Sequence, residues 1–154
     1  MTYQHVHDFL RTHPMGVLST VSEDGKPWGA AVYYVADEDF NFYFVTRKNT
    51  HKYKNIEDNP FVAFTVADAN DQVSVQAAGK LSKVPPEDYM DVVFTRIAKI
   101  RPAGQYNWAP PVEKVHQGDY MALCLTPDLL RYADFKKPEI NLQTQAIQTI
   151  IPAQ

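Results

Sequence analysis

The sequence predicts a mainly β protein, an antiparallel barrel or sheet with flanking helices, and three observations lead there. Short β-rich runs succeed one another at turn signals with few helices between them. The Asp24-Gly25 pair sits between two such runs, as in a hairpin. From Phe42 to Val45 aromatic and branched side chains alternate, so both faces of that run are expected to be covered.

Each element has its own signal. Thr2 is a candidate cap for a short helix, residues 1–13, in which Tyr3, Val6, Phe9 and Leu10 recur at spacings of three and four before Pro14. Strands are predicted at 16–22, 27–36 and 41–46, the first two joined through Glu23-Asp24-Gly25-Lys26 and the last two through Asp37-Glu38-Asp39. Asn49 or Thr50 caps a helix through Lys52, Tyr53, Ile56 and Glu57, which Asn59-Pro60 stops. A fourth strand at 61–67 and a long fifth at 72–84 follow, and the small Ala77 and Gly79 imply a close neighbour. Pro85-Pro86 opens a helix with the stripe Tyr89, Val92, Val93, Ile97 and Ile100, ended by Arg101-Pro102. Residues 103–118 read as a loop carrying Tyr106 and Trp108. Two last strands, 120–126 and 129–135, flank Pro127-Asp128, and a tail rich in Ile and Gln occupies 136–154.

The chain has 154 residues and is read as a single domain spanning 1–154, long enough to hold a core without disulfides or a structural metal. Its one cysteine, Cys124, lies between leucines and reads as a small buried side chain in a reducing compartment. Fifteen Lys and Arg stand against 18 Asp and Glu, and the strands carry almost no cations, which argues against a nucleic-acid module. No apolar run reaches the length of a membrane span, and the first residues lack a signal core. A cytoplasmic protein with no membrane partner is expected. His5 and His7 diverge on a helix, so surface residues rather than a metal pair are expected there. His13 is read as a helix-end residue, and Trp28 as packing at a barrel end.

Chemistry concentrates in Thr46-Arg47-Lys48-Asn49-Thr50-His51-Lys52-Tyr53-Lys54, which leaves a strand and enters a helix. A phosphate is held by charge-assisted donors, hydroxyls and free backbone N–H groups, and a helix N-terminus adds its dipole. Composition alone favours the plainer reading, a solvated basic helix start. No Gly-rich phosphate loop or dinucleotide fingerprint is present, so a phosphate on a smaller cofactor is the better match.

The stretch "FYFVTRKNTHKYKNIEDNPFVAF", residues 42–64, resembles the pyridoxamine 5′-phosphate oxidase-like proteins that bind FMN in a split β-barrel, above all the short general-stress-protein-like members. The likeness extends over about residues 5–135. It implies an antiparallel six- to seven-stranded split β-barrel, a homodimer with two FMN sites between its subunits, and Thr46 and Lys52 on the FMN phosphate. Val45 and Thr50 fall in the same stretch, and His51 stands where the family has arginine. The resemblance further puts Ala30, Ala31, Val32, Tyr33 and Tyr34 along the flavin, Gln72 toward its ring, and Tyr132 near the family's C-terminal aromatic position. The family's basic residue near Tyr34 and its C-terminal arginine motif are missing, so pyridoxamine phosphate oxidation is not expected. Trp108, held between Tyr106 and Pro110-Pro111, is a candidate to stack on the ring, with core or interface packing as the alternative.

These features imply an FMN-dependent oxidoreductase with no identifiable catalytic acid or base, exchanging electrons with a nicotinamide, another reduced flavin or a different small molecule. Two other readings stay open. One is a flavin carrier or sensor without turnover. The other is a relative that takes F420 or haem instead, in which case His116 or His51 is the source of an axial ligand.

Overall fold

The computed structural model describes residues 3–85, 87, 88, 96, 120–136 and 146–151. The predicted helix after Pro85-Pro86, the loop with Tyr106, Trp108 and His116, and most of the tail lie outside the described residues.

Helix α1 (Gln4–Thr12) is followed by strands β1 (Met15–Val21), β2 (Pro27–Ala36) and β3 (Phe42–Arg47), helix α2 (His51–Asp58), and strands β4 (Phe61–Asp68), β5 (Val73–Lys83), β6 (Tyr120–Asp134) and β7 (Ile147–Ile151). The strands form one antiparallel sheet in the order β3-β2-β1-β4-β5-β6-β7. A further pairing of β3 with β6 curls it into a barrel. One edge of β6 is shared: residues 120–125 pair with β3 and residues 130–133 with β7.

The core follows the predicted periodicities. Val6, Phe9 and Leu10 bury one stripe of α1, and Phe42, Phe44 and Phe64 meet inside the barrel with ring centroids 5.0–5.2 Å apart. The Tyr34 hydroxyl donates to the Leu10 carbonyl at 2.9 Å, tying α1 to β2 within the core. Gly25 has φ +81° in the hairpin turn, a conformation glycine adopts without steric cost. The close neighbour expected at Gly79 is β6: a Cβ there would collide with the Thr126 carbonyl and the Pro127 backbone.

Some expectations are corrected. The two last strands are one, β6, because Pro127, which has no N–H to give, sits beside a register shift at Ala78/Gly79 that absorbs it without a turn. Part of the tail is the strand β7, whose Ile147, Ile150 and Ile151 suit a pleated surface. His7 is half-buried, stacked on Phe40 at 4.1 Å and 9°. Phe40 itself has φ +62°, held by its N–H bond to the Asp37 carbonyl while the Asp37 carboxylate accepts from the Asn41 N–H and side chain and from the Tyr43 hydroxyl.

The surplus apolar surface lies on β1 and its neighbours. Val62, Phe64, Val73 and Val75 are all inside, whereas Met15 (51% exposed), Val17 (45%) and Phe61 (60%) face outward. Val17 lies opposite Ala31 and Thr65, and Ser19 opposite Gly29 and Ala63, so these small side chains continue the patch. A second cluster on the outside of the β2-β3-β6 region joins Tyr33, Val35, Tyr43, Val45, Ala122, Val84 and Cys124. Burial raises the Cys124 thiol above its ordinary value, so it is a poor thiolate source. Burial, with Cys124 and Asp37 beside it, pushes the Tyr43 phenol up to about 12. Among the described residues no helix is long and apolar enough to cross a membrane.

Candidate functional site

Where β3 meets α2, Thr50 is the N-cap: its hydroxyl accepts from the Tyr53 N–H at 3.3 Å and donates to the Arg47 carbonyl at 2.8 Å. The Lys54 N–H is bonded to the Thr50 carbonyl. Among the described residues the N–H groups of His51 and Lys52 have no acceptor, as a helix start leaves them. Thr46, 5% exposed, sits behind Thr50 with the two hydroxyl oxygens 3.2 Å apart. Lys52 is half-buried, and burial lowers its ammonium below the ordinary lysine value. Among the described residues no carboxylate is within ion-pair distance of it. The free N–H groups and the Thr50 cap therefore lie at the helix start beside a cavity of about 570 Å³ whose lining combines the cations Lys48 and Lys54 with Thr50, His51, Glu57 and Asp58, while Lys52 is outside that lining.

The helix is fixed from below. Asn55, 3% exposed, donates to the hydroxyl of Thr20, which is fully buried, at 3.0 Å. From above, Trp28 stacks on His51 with ring centroids 4.6 Å apart at 27°. Trp28 packs at the end of β2 as expected, and its partner is His51, the first residue of α2; the indole remains 47% exposed.

The strands beside this helix start part company. β2 pairs with β1 from Pro27 to Tyr33, but with β3 only from Tyr34 to Ala36. Among the described residues the opposite edge of β2 between Trp28 and Val32 has no strand partner, and neither does β3 beyond Phe44 on that side. A strand edge lies open there, and a flat ring with donors and acceptors can bond to such an edge.

The sequence-predicted residues divide accordingly. Thr46, Thr50, His51 and Lys52 come together at the helix start, and Ala30 and Ala31 lie along the open edge, with Tyr33 next to its end and Val45 on the facing strand. Val32 belongs to that edge by backbone alone and Tyr34 lies where β3 pairs, their side chains being 7% and 2% exposed and pointing into the core. Tyr132 is 9% exposed, its ring 6.4 Å from Phe9 and 5.0 Å from His5, so it packs under α1. Gln72 stands in the turn before β5 with φ +55°, its carbonyl accepting from the Phe135 N–H. Within one chain Gln72 and Tyr132 are far from the helix start: Thr46 pairs with Met121 at one end of β6, Val73 and Val75 with Asp134 and Tyr132 at the other. Trp108 lies outside the described residues. The Trp28 to His51 stack and the Asn55 to Thr20 bond were not legible beforehand, because each joins residues distant in sequence. The Lys48 and Lys54 contributions were.

A larger groove, about 990 Å³, runs between α1 and the β2–β3 turn, past His7, Asp8, Arg11, Asp37 and Phe40. Its cations Arg11 and Arg96 stand among Asp8, Asp37 and Glu38, and Arg11 is paired with Asp8 at 2.9 Å, so the helix start is the better candidate for a phosphate.

A curled antiparallel seven-stranded barrel sheet with two helices among the described residues defines the split-barrel class of fold. A profile of the pyridoxamine 5′-phosphate oxidase family matches residues 3–134, and the chain belongs to that family. A pyridoxine/pyridoxamine 5′-phosphate oxidase of Ehrlichia ruminantium (strain Welgevonden) is 36% identical over 72 residues, 47% of this chain and 37% of the relative. The match thus spans little more than a third of that relative's length. Two solved structures share the fold. A protein of Clostridium acetobutylicum related to general stress protein 26 is 16% identical, with a TM-score of 0.67 over 96% of this chain and 93% of its own. A pyridoxamine 5′-phosphate oxidase-related, FMN-binding protein of Nostoc punctiforme is 13% identical, with a TM-score of 0.62 over 97% and 96% of the two chains.

Proposed function

We propose that this protein binds FMN, with the phosphate on the α2 start and the flavin ring along the open edge of β2, and that it works as an oxidoreductase. The observation that carries the reading is Lys52: a half-buried cation without a carboxylate partner among the described residues, beside two free N–H groups. Burying a cation without a counter-charge is costly, and a phosphate supplies that charge. The donor set fits the group. Lys52 and the His51 and Lys52 amides would hold the phosphate, with Thr50 capping the helix and Thr46 behind it, either hydroxyl able to join only by turning from the Arg47 carbonyl. The backbone of Ala30 to Val32 would meet the ring.

A bound flavin supplies electron transfer, while this chain supplies binding, orientation and exclusion of water. The electron partner in this reading is a nicotinamide, another reduced flavin or a different small molecule. Pyridoxamine phosphate itself is disfavoured, because no basic side chain stands at Tyr34. The exposed Met15, Val17 and Phe61 support a homodimer, and a second subunit is the source from which Gln72, Tyr132 or Trp108 could approach the flavin. The lone thiol of Cys124 suits the cytoplasm.

The absorption spectrum of the purified protein tests this. Paired flavin bands that follow the protein through gel filtration are expected. A Soret band, or the single band of a deazaflavin, would replace FMN with haem or F420.

A further inference from the structure

We propose that Trp28 is a positioning residue of the phosphate grip, acting through His51, and that the pair makes the grip strengthen when His51 takes up a proton. The inference rests on the FMN reading above and adds a pH dependence carried by His51.

The geometry is specific. Trp28 is a large apolar side chain left 47% exposed, at the end of β2 next to the hairpin turn, and its contact is a near-parallel stack on His51. Thr20, its register partner on β1, receives the Asn55 bond, so the strand pair that carries the indole also anchors the helix that carries the imidazole. His51 is the first residue of α2, and its own amide is one of the two free donors.

Histidine is the side chain that changes charge between pH 5 and 8. Its protonated ring offers two N–H donors where the neutral ring offers one. The indole stack fixes where the ring stands, and a phosphate dianion at the helix start would attract the charged form of a ring held there. The surrounding charges set the balance. Lys48, Lys52 and Lys54 on the same segment oppose a further positive charge, while Glu57 and Asp58, with Tyr53, lie along the helix at the far side of the cavity. From β1 and β2, on which α2 packs, Thr20 and Trp28 make the contacts described, and neither is charged. Glu23, Asp24 and Lys26 occupy the turn just beyond Trp28. A bound phosphate would offset the positive charge of this segment beside the ring, so binding and proton uptake are coupled.

The experiment measures FMN and riboflavin affinities at pH 6.5 and 8.5, a range in which the FMN phosphate, with a second pKa near 6, is mainly dianionic. The wild type is expected to show an FMN-to-riboflavin affinity ratio about threefold to tenfold larger at pH 6.5, with proton uptake seen by calorimetry in buffers of different ionisation heat. His51→Gln and His51→Arg should make the ratio independent of pH, His51→Arg at the higher value. Trp28→Ala should lose most of the pH dependence and Trp28→Phe should keep it, with thermal melts checking that both fold. A wild-type ratio well above one but equal at the two pH values overturns this inference and leaves the FMN reading standing. So does a Trp28→Ala variant that keeps the full dependence. A ratio of one at both pH values overturns the phosphate reading and this inference with it.

Discussion

The carboxamide of Asn55 donates to the hydroxyl of Thr20 across 3.0 Å in a place closed to solvent, and this bond sets where helix α2 begins relative to the barrel. Thr20, Thr46 and Asn55 are the buried polar residues among those described, and all three lie around the start of that helix or directly beneath it. A buried hydrogen-bonding group left without its partner costs about 1–3 kcal/mol. Asn55→Ala should therefore lower unfolding stability by about that amount, and Asn55→Leu with Thr20→Val should recover part of it, because both polar ends are then gone. Denaturant titration of the three proteins checks this. A single-mutant loss within about 0.5 kcal/mol, the range of ordinary surface changes, would mean the bond does not anchor the helix.

At the other end of the barrel His13 Nε2 lies 2.8 Å from a carboxylate oxygen of Asp68, and its Nδ1 lies 2.8 Å from the Phe9 carbonyl. The His13 bond, with amide bonds from Asn70 and Asp71, holds the Asp68 carboxyl below its ordinary value. A carboxyl lowered by folding contributes stability that is present above its unfolded value and is lost as pH falls through the folded one. The acid limb of the stability curve should accordingly flatten in Asp68→Asn, with the difference between the two proteins growing from pH 3 to pH 5. Parallel acid limbs for wild type and variant would remove Asp68 from the account.

The outward face of β1 carries the assembly prediction. Val17 is 45% exposed and flanked by Ala31 and Thr65 on the neighbouring strands, so a charged residue there has room in the isolated chain and is repelled in an apolar interface. Val17→Asp should shift sedimentation from dimer to monomer with little change in the fold, and flavin retention should weaken with it if the sites lie between subunits. A wild-type protein that sediments as a monomer at micromolar concentration and still holds FMN would defeat the shared-site arrangement.

Much of this fold was legible because its signals are local. The spacing of Val6, Phe9 and Leu10, the Asp24-Gly25 turn, the Thr50 cap and the stop at Asn59-Pro60 each act within a few residues and fall where the chain places them. The departures come from pairing between distant segments. Pro127 reads as a breaker until Gly79 on β5 gives it a bulge to occupy, and 147–151 is a strand only because the β3 pairing leaves the end of β6 open. The site shows the same division. Thr46, Thr50, His51 and Lys52 lie close in sequence and converge, whereas Gln72 and Tyr132 resembled family positions without any local signal of where the barrel would carry them. Trp28 was read as packing, but its partner, His51, was not legible because it lies beyond β3 in sequence.

The measurement that bears most directly on the phosphate assignment compares Lys52→Ala with wild type using two ligands that differ only in the phosphate. One charge-assisted contact is worth about 1.5–3 kcal/mol, so the variant should bind FMN roughly ten- to a hundredfold more weakly. Riboflavin should bind both proteins about equally. An equal loss for FMN and riboflavin, or FMN binding unchanged by the substitution, would contradict a phosphate held at the start of α2.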